Sequence, residues 1–170
     1  MNHARTITLL ALCALISACN SPDTNLANGG ITLKDNIVTL HADGAPDAQI
    51  DADGTLLVDG KAVSVTTPQH GLLMLYVQQV MDVHQTGLAM GKVGAGMGMK
   101  SIKDSIDGKS KAEKNKDVES GGEQLKALGK KMCQDQADIK DVQDQLATQL
   151  PAFKPYAKIV TKSRADCEKD

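Results

Sequence analysis

The sequence predicts an α+β chain, mostly helical, in which a small N-terminal antiparallel β-meander leads into a long helix and a C-terminal helical hairpin. Three observations carry this. Short β-rich runs separated by Asp-Gly pairs fill residues 31–66. Apolar residues then recur at helical spacing over most of the remaining chain. Finally, Tyr76, Phe153 and Tyr156 are the only aromatic residues. Aromatic side chains bury the most apolar area per residue. A chain this poor in them suits an elongated helical body better than an enzyme with a deep pocket.

The first segment reads as an export signal. The apolar run Ile7 to Ile16 follows His3 and Arg5 and ends in Ile16-Ser17-Ala18-Cys19. It is too short for a membrane span, which needs about 20 residues. A basic start, a short apolar stretch and small residues before the cut define a cleaved signal. The Cys makes it resemble a bacterial lipoprotein signal, cut before Cys19, which then carries the lipid. Removing residues 1–18 leaves 152 of 170 residues, enough for one domain. The formal charge moves from −2 to −3, because that segment contains Arg5 and no Asp or Glu. Near-neutral charge argues against a nucleic-acid binder, which would carry a clear basic excess.

Residues 19–30 are polar and rich in turn formers, which predicts a flexible tether. Strands are expected at Ile37–Leu40, Ala48–Ile50, Thr55–Val58 and Ala62–Thr66. Asp53-Gly54 and Asp59-Gly60 separate the last three; Gly accepts the positive φ that hairpin turns require. Thr67-Pro68 opens a helix, with Thr67 as N-cap and Pro at the first turn, where no hydrogen bond is lost. Its periodic residues run from Leu72 and Leu73 through Val77, Val80 and Met81 to Met99, Ile102 and Ile106.

Within this helix lie Gly87, Gly91, Gly94, Gly96 and Gly98. Each costs a helix interior about 1 kcal/mol against Ala. Either the helix breaks there or close packing on the small-residue face compensates. Gly87/Gly91 and Gly94/Gly98 are each four apart and so line one face. Residues 103–122 are charged, with Lys109, Lys111, Lys114 and Lys116 clustered, and read as a mobile linker or a solvated helix. Leu125, Leu128, Met132, Ile139, Val142 and Leu146 then give a coiled-coil-like seam with Asp135 as its polar interruption. Pro151 and Pro155 end that helix, and a last one is expected from Tyr156 to Asp166.

Of four cysteines, Cys13 leaves with the signal and Cys19 takes the lipid. Cys133 and Cys167 remain in an oxidising compartment and are expected to be bridged. Cys133 lies about 26 Å before Leu150 along a helix, and Cys167 about 18 Å after Pro155, so a hairpin with slack at Ala152-Phe153-Lys154 allows the bond.

The order of motifs is also informative. A D-G-x-L-x-V-D-G-K hairpin (Asp53 to Lys61), a Thr-Pro-Gln helix start (Thr67 to Gln69), a Gly/Ala/Met-rich middle and a late Leu-Gly-x-x-x-Cys (Leu128 to Cys133) follow one another. Over about residues 45–167 the chain resembles the YggN-like family of Gram-negative envelope proteins, a family of unknown function. The resemblance implies a periplasmic helical domain with a hairpin and a late cysteine pair. It implies no activity and no catalytic residues.

Chemical motifs are sparse. Asp51, Asp53 and Asp59 invite a calcium loop, but Gly falls at its fourth position rather than its sixth, and turn chemistry accounts for all three. Met81, His84, Met97 and Met99 crowd one segment, and thioethers with imidazole suit copper. The competing reading is that Met fills gaps in an aromatic-poor core. His41 and His70 lie at turn-like positions without evident partners. There is no Gly-x-Ser-x-Gly and no Walker-type loop. Asp135 and Asp138 read as a solvated acidic face, and the lysines near 109–116, interleaved with acids, as a solvated linker.

The expectation is therefore a non-catalytic binding module without a cofactor, anchored through lipid on Cys19. Its interaction face would be Gly87, Gly91, Gly94 and Gly98, and its partner an envelope protein or an amphiphile. Copper binding through Met81, His84, Met97 and Met99 is the alternative. Asn20 follows Cys19, where Asp would resemble an inner-membrane retention signal, so the outer membrane, facing the periplasm, is the expected location.

Overall fold

The structure, a computed structural model, describes residues 23–169. The signal and Cys19 lie outside the described residues. An α+β architecture, mostly helical, is present as the sequence predicts: an N-terminal antiparallel sheet, then a long helix and further helix. Six strands run β1 (Thr24–Leu26), β2 (Ile31–Lys34), β3 (Ile37–Leu40), β4 (Ala48–Ile50), β5 (Leu56–Val58) and β6 (Lys61–Ala62). They form one meander in sequence order, every pair antiparallel.

Side-chain alternation makes the sheet one-sided. Ile31 and Leu33 on β2, Val38 and Leu40 on β3, and Ala48 and Ile50 on β4 are buried, while their neighbours are not. Pairing of Ile31 with Leu40, Leu33 with Val38, and Val38 with Ile50 carries the apolar row across the strands. Asp59-Gly60 makes the expected two-residue turn, with φ of 52° and 69°. Asp35-Asn36 makes another, with φ of 49° and 62°. Asp51 Oδ1 accepts hydrogen bonds from the N–H groups of Asp53 (3.0 Å) and Thr55 (2.8 Å). That carboxylate is thus spent on shaping the β4–β5 loop.

Two expectations for this region need correction. Residues 19–30 are not tether throughout: β1 and a left-handed turn at Ala27, Asn28 and Gly29 (φ 50°, 56° and 90°) occupy residues 24–29. The turn folds Leu26 back onto Ile31, which supplies the ladder that a polar reading missed. The last strand is only two residues, and residues 63–66 run on to the helix.

Helix α1 spans Thr67–Ile106 and helix α2 spans Lys111–Gln149. The N-cap of α1 is Thr66, one residue earlier than expected, and the Gln69 side chain accepts its N–H at 2.9 Å. The glycine-rich stretch does not break α1. Nor are residues 103–122 a linker: a short turn at 107–110 separates the two helices. Gly108, at φ 66°, provides the left-handed exit from α1. Ser110 then caps α2, donating to Glu113 Oε2 at 2.7 Å through Oγ and 3.1 Å through N. These bonds hold the Glu113 carboxyl below its ordinary pKa. Ser110-x-x-Glu113 is a capping box legible in the sequence. Lys109 Nζ meets the buried Asp104 carboxylate at 2.8 Å and closes the turn.

The two helices pack as an antiparallel pair. Gln69 Nε2 donates to the Gln149 carbonyl at 2.7 Å at the root. Thr86 Oγ1 donates to Asp135 Oδ2 at 2.7 Å further along. Asp135, expected on a solvated face, is buried and is paired with Lys131 Nζ at 2.8 Å. Leaving that carboxylate unpaired would cost several kcal/mol, on the order of 3–5.

The C-terminal segment is not the expected helix Tyr156–Asp166. A 3-10 turn (Pro151–Tyr156) is followed by irregular chain and a short helix α3 (Arg164–Cys167). The reason is Gln143, fully buried on α2. Its Nε2 donates to the carbonyls of Ala157 (2.8 Å) and Val160 (2.9 Å), and its Oε1 accepts the Val160 N–H (3.0 Å). Backbone groups held by one side chain cannot form a helix ladder. Cys133 and Cys167 are joined, with Cα atoms 5.6 Å apart.

The main core joins the sheet face to the root of the helix pair and to Phe153, Tyr156 and Val160. Phe153 stacks edge-on with both Tyr76 (5.6 Å) and Tyr156 (5.8 Å). All three aromatics are fully buried in one cluster. Tyr156 donates to the Pro46 carbonyl at 2.6 Å, tying the tail to the β3–β4 loop. The Tyr76 hydroxyl is buried with no hydrogen-bond partner among the described residues, and burial pushes its pKa well above the usual tyrosine range.

These two hydroxyls predict opposite effects. Tyr76→Phe removes an unsatisfied polar group and should raise stability by about 1 kcal/mol, whereas Tyr156→Phe should lower it by about 1 kcal/mol. Urea unfolding of both variants checks this; equal losses would show that the Tyr76 hydroxyl has a partner in solution.

Candidate functional site

The sheet covers only the root of α1. Its buried residues run Leu73, Tyr76, Val77, Val80, Val83 and Thr86, and beyond Thr86 only Asp104 is buried. Among the described residues the outer part of α1 packs on α2, so the pair projects from the core as a two-helix arm.

The predicted glycine face lies on this arm. A methyl group placed on Gly91, Gly94 or Gly98 would meet nothing within 4 Å. On Gly87 it would make ordinary contact with Met132 Cε at 3.7 Å. The first three glycines therefore do not serve close packing inside this chain, as compensation within the fold would have required. The close approach is elsewhere, at Gly121 on α2. A methyl there would lie 2.6 Å from Met97 Cγ, so Met97 lies directly over the Gly121 backbone. Sequence reasoning passed over Gly121 because it sits in a polar stretch, Glu119-Ser120-Gly121-Gly122-Glu123.

Exposed apolar residues line α1 beside the glycine face, on the side away from Met97. Leu88 is 38% exposed, Met99 70%, Ile102 65% and Ile106 80%. With Ala95 they recur at steps of seven, four, three and four, which places them on one helical face. Lys92 and Lys103 are exposed beside this stripe, and neither has an ion-pair partner among the described residues.

The copper candidates are not gathered. Met81 borders an apolar groove at the root of α1, lined also by Ala52, Gly71, Met74 and Leu75. His84 Nδ1 is hydrogen-bonded to Thr24 Oγ1 on β1. Met97 faces Gly121, and Met99 points to solvent. Met81 and Met97 are about 24 Å apart along the helix axis. No group of three or more His, Cys, Asp or Glu side chains is placed to hold an ion among the described residues.

His41 and Asp47, 2.8 Å apart, line a groove of about 630 Å³ with Lys158 and the left-handed turn. A His–Asp pair can orient a base, but among the described residues no Ser, Thr or Cys lines this groove to be activated. A second groove of about 700 Å³ borders the disulfide, between Lys126, Lys130 and Lys162. No helix among the described residues is long and apolar enough to cross a membrane. Compared with known proteins, the chain matches no family model, no curated protein and no solved structure.

The open and the crowded glycines should respond in opposite ways. Gly91→Ala, Gly94→Ala and Gly98→Ala should each raise stability by about 1 kcal/mol through helix propensity. Gly121→Leu should lower it by about 2 kcal/mol through overpacking against Met97. Thermal unfolding decides; destabilisation by Gly94→Ala would mean that the face is packed after all.

Proposed function

We propose that the chain is a lipid-anchored, non-catalytic binding module of the Gram-negative cell envelope, related to the YggN-like proteins. Lipid on Cys19 holds it at the outer membrane facing the periplasm, and the glycine-lined face of α1 receives a helix of an envelope partner. The observation that carries this reading is the openness of Gly91, Gly94 and Gly98 on a continuous helix. Three glycines cost a helix about 3 kcal/mol together. They return nothing inside the chain, whereas small residues let a second helix approach closely. The seam of α1 with α2 keeps the arm straight and the glycine face turned outward.

Crosslinking in membranes tests this. The wild-type protein should capture one reproducible partner, and the double substitution Gly91→Leu, Gly94→Leu should abolish that capture while leaving the fold intact. Undiminished capture by the double variant would refute the glycine face as the binding surface.

A further inference from the structure

We propose that the stripe beside the glycine face, Leu88, Ala95, Met99, Ile102 and Ile106, rests on the surface of an anionic phospholipid bilayer. This goes beyond a helix-binding role and rests on the reading of Cys19 as the lipid anchor. Three observations select lipid over a protein as the occupant.

The first is charge. Along the stripe, from Leu88 to Ile106, the exposed charged residues are Lys92, Lys100 and Lys103, and the one acid, Asp104, is buried against Lys109. The rest of the chain mixes both signs. An apolar stripe bordered by lysines is the pattern of a helix lying in a membrane interface, its apolar face among the acyl chains and its amines at anionic headgroups.

The second is where the anchor enters. Thr24 lies five positions after Cys19. That length of chain reaches at most about 18 Å. Thr24 is fixed against His84, which lies one helical turn before Leu88 and on the same side of α1. A lipid on Cys19 can therefore lie no farther than about 18 Å from Thr24, at the root of the stripe.

The third is dimension. Leu88 to Ile106 spans about 27 Å of helix. The exposure rises toward the tip, reaching 80% at Ile106, so the residues farthest from the anchor protrude most. A surface anchored at the root and touched again at the tip would hold the arm flat. One lipid attachment gives a pivot; a second, interfacial contact fixes orientation.

The chain contains no Trp, so a single introduced Trp reports one position. Ile102→Trp sits on the stripe and, being at an exposed position, leaves the core untouched. Lys116→Trp on α2 is the control. The full mature protein is reconstituted in phosphatidylglycerol-containing vesicles, in phosphatidylcholine vesicles and in detergent-free buffer. We expect the Ile102→Trp emission to shift to the blue and to be quenched by brominated phosphatidylglycerol, with Lys116→Trp unchanged. Lys92→Glu with Lys103→Glu should reduce the vesicle-dependent shift at least tenfold at equal lipid. A water-like Ile102→Trp spectrum on vesicle-bound protein overturns the proposal while leaving the anchor standing. A shift that grows with protein concentration without vesicles also overturns it, because a second copy then covers the stripe. A shift that requires an added envelope protein overturns it in favour of that protein. Mass spectrometry of the same samples reads Cys19 separately: a full shift without lipid on Cys19 keeps the stripe assignment and removes the anchor. Should Ile102→Trp fail to fold, peroxide oxidation of Met99 in the wild-type protein replaces it: protection on the same vesicles supports the stripe contact, and unprotected Met99 overturns it.

Discussion

A pair of helices has one seam, and everything outward in this protein follows from that limit. The sheet meets α1 only as far as Thr86. From there to the tip, α1 has α2 on one side and, among the described residues, no other element to bury the rest of its circumference. Met97 and Asp104 are committed to the seam, so Met99, Ile102 and Ile106, on the other side, are left exposed. Exposed apolar area of this kind on an otherwise polar arm is the observation that supports the proposed contact surface. The same geometry leaves Gly91, Gly94 and Gly98 open.

Holding such an arm straight takes fixed points along the seam. Gln69 and Gln149 join the helices at the root, Thr86 and Lys131 satisfy the buried Asp135 midway, and Lys109 pairs with Asp104 beside the tip turn. Between them Met97 lies over Gly121. These contacts are directional, so they set register where a uniform apolar seam would allow sliding. The tail is held differently, through Gln143 reading the backbone of Ala157 and Val160 and through Cys133–Cys167. The three aromatics meet in the core at the base, which concentrates stability at one end and leaves the arm free for contact.

Much of the fold was legible because local chemistry and burial agree. Asp59-Gly60 makes its turn, and Ala48–Ile50 alternates as a strand should. The β1 strand was not legible, since Leu26 is its one apolar residue and its ladder depends on Ile31. The glycine run obscured a helix that continues unbroken through it, from Thr67 to Ile106. The polar seam residues were the hardest to read. Asp135 reads as solvated in the sequence, and only the tertiary arrangement shows it, and Gln143, with their partners. For the candidate surface, the glycine positions were visible as a pattern, but their openness and the lysine-bordered stripe required the structure.

The direct test of the arm uses two native methionines. Met97 and Met99 are two residues apart on α1 but face opposite ways, Met97 onto Gly121 and Met99, at 70% exposure, into solvent. Peroxide oxidation of the lipid-free protein, followed residue by residue by mass spectrometry, should convert Met99 at least tenfold faster than Met97. Equal rates would contradict this arrangement, because they would mean either that the α1–α2 seam is not formed or that the outer face is already covered.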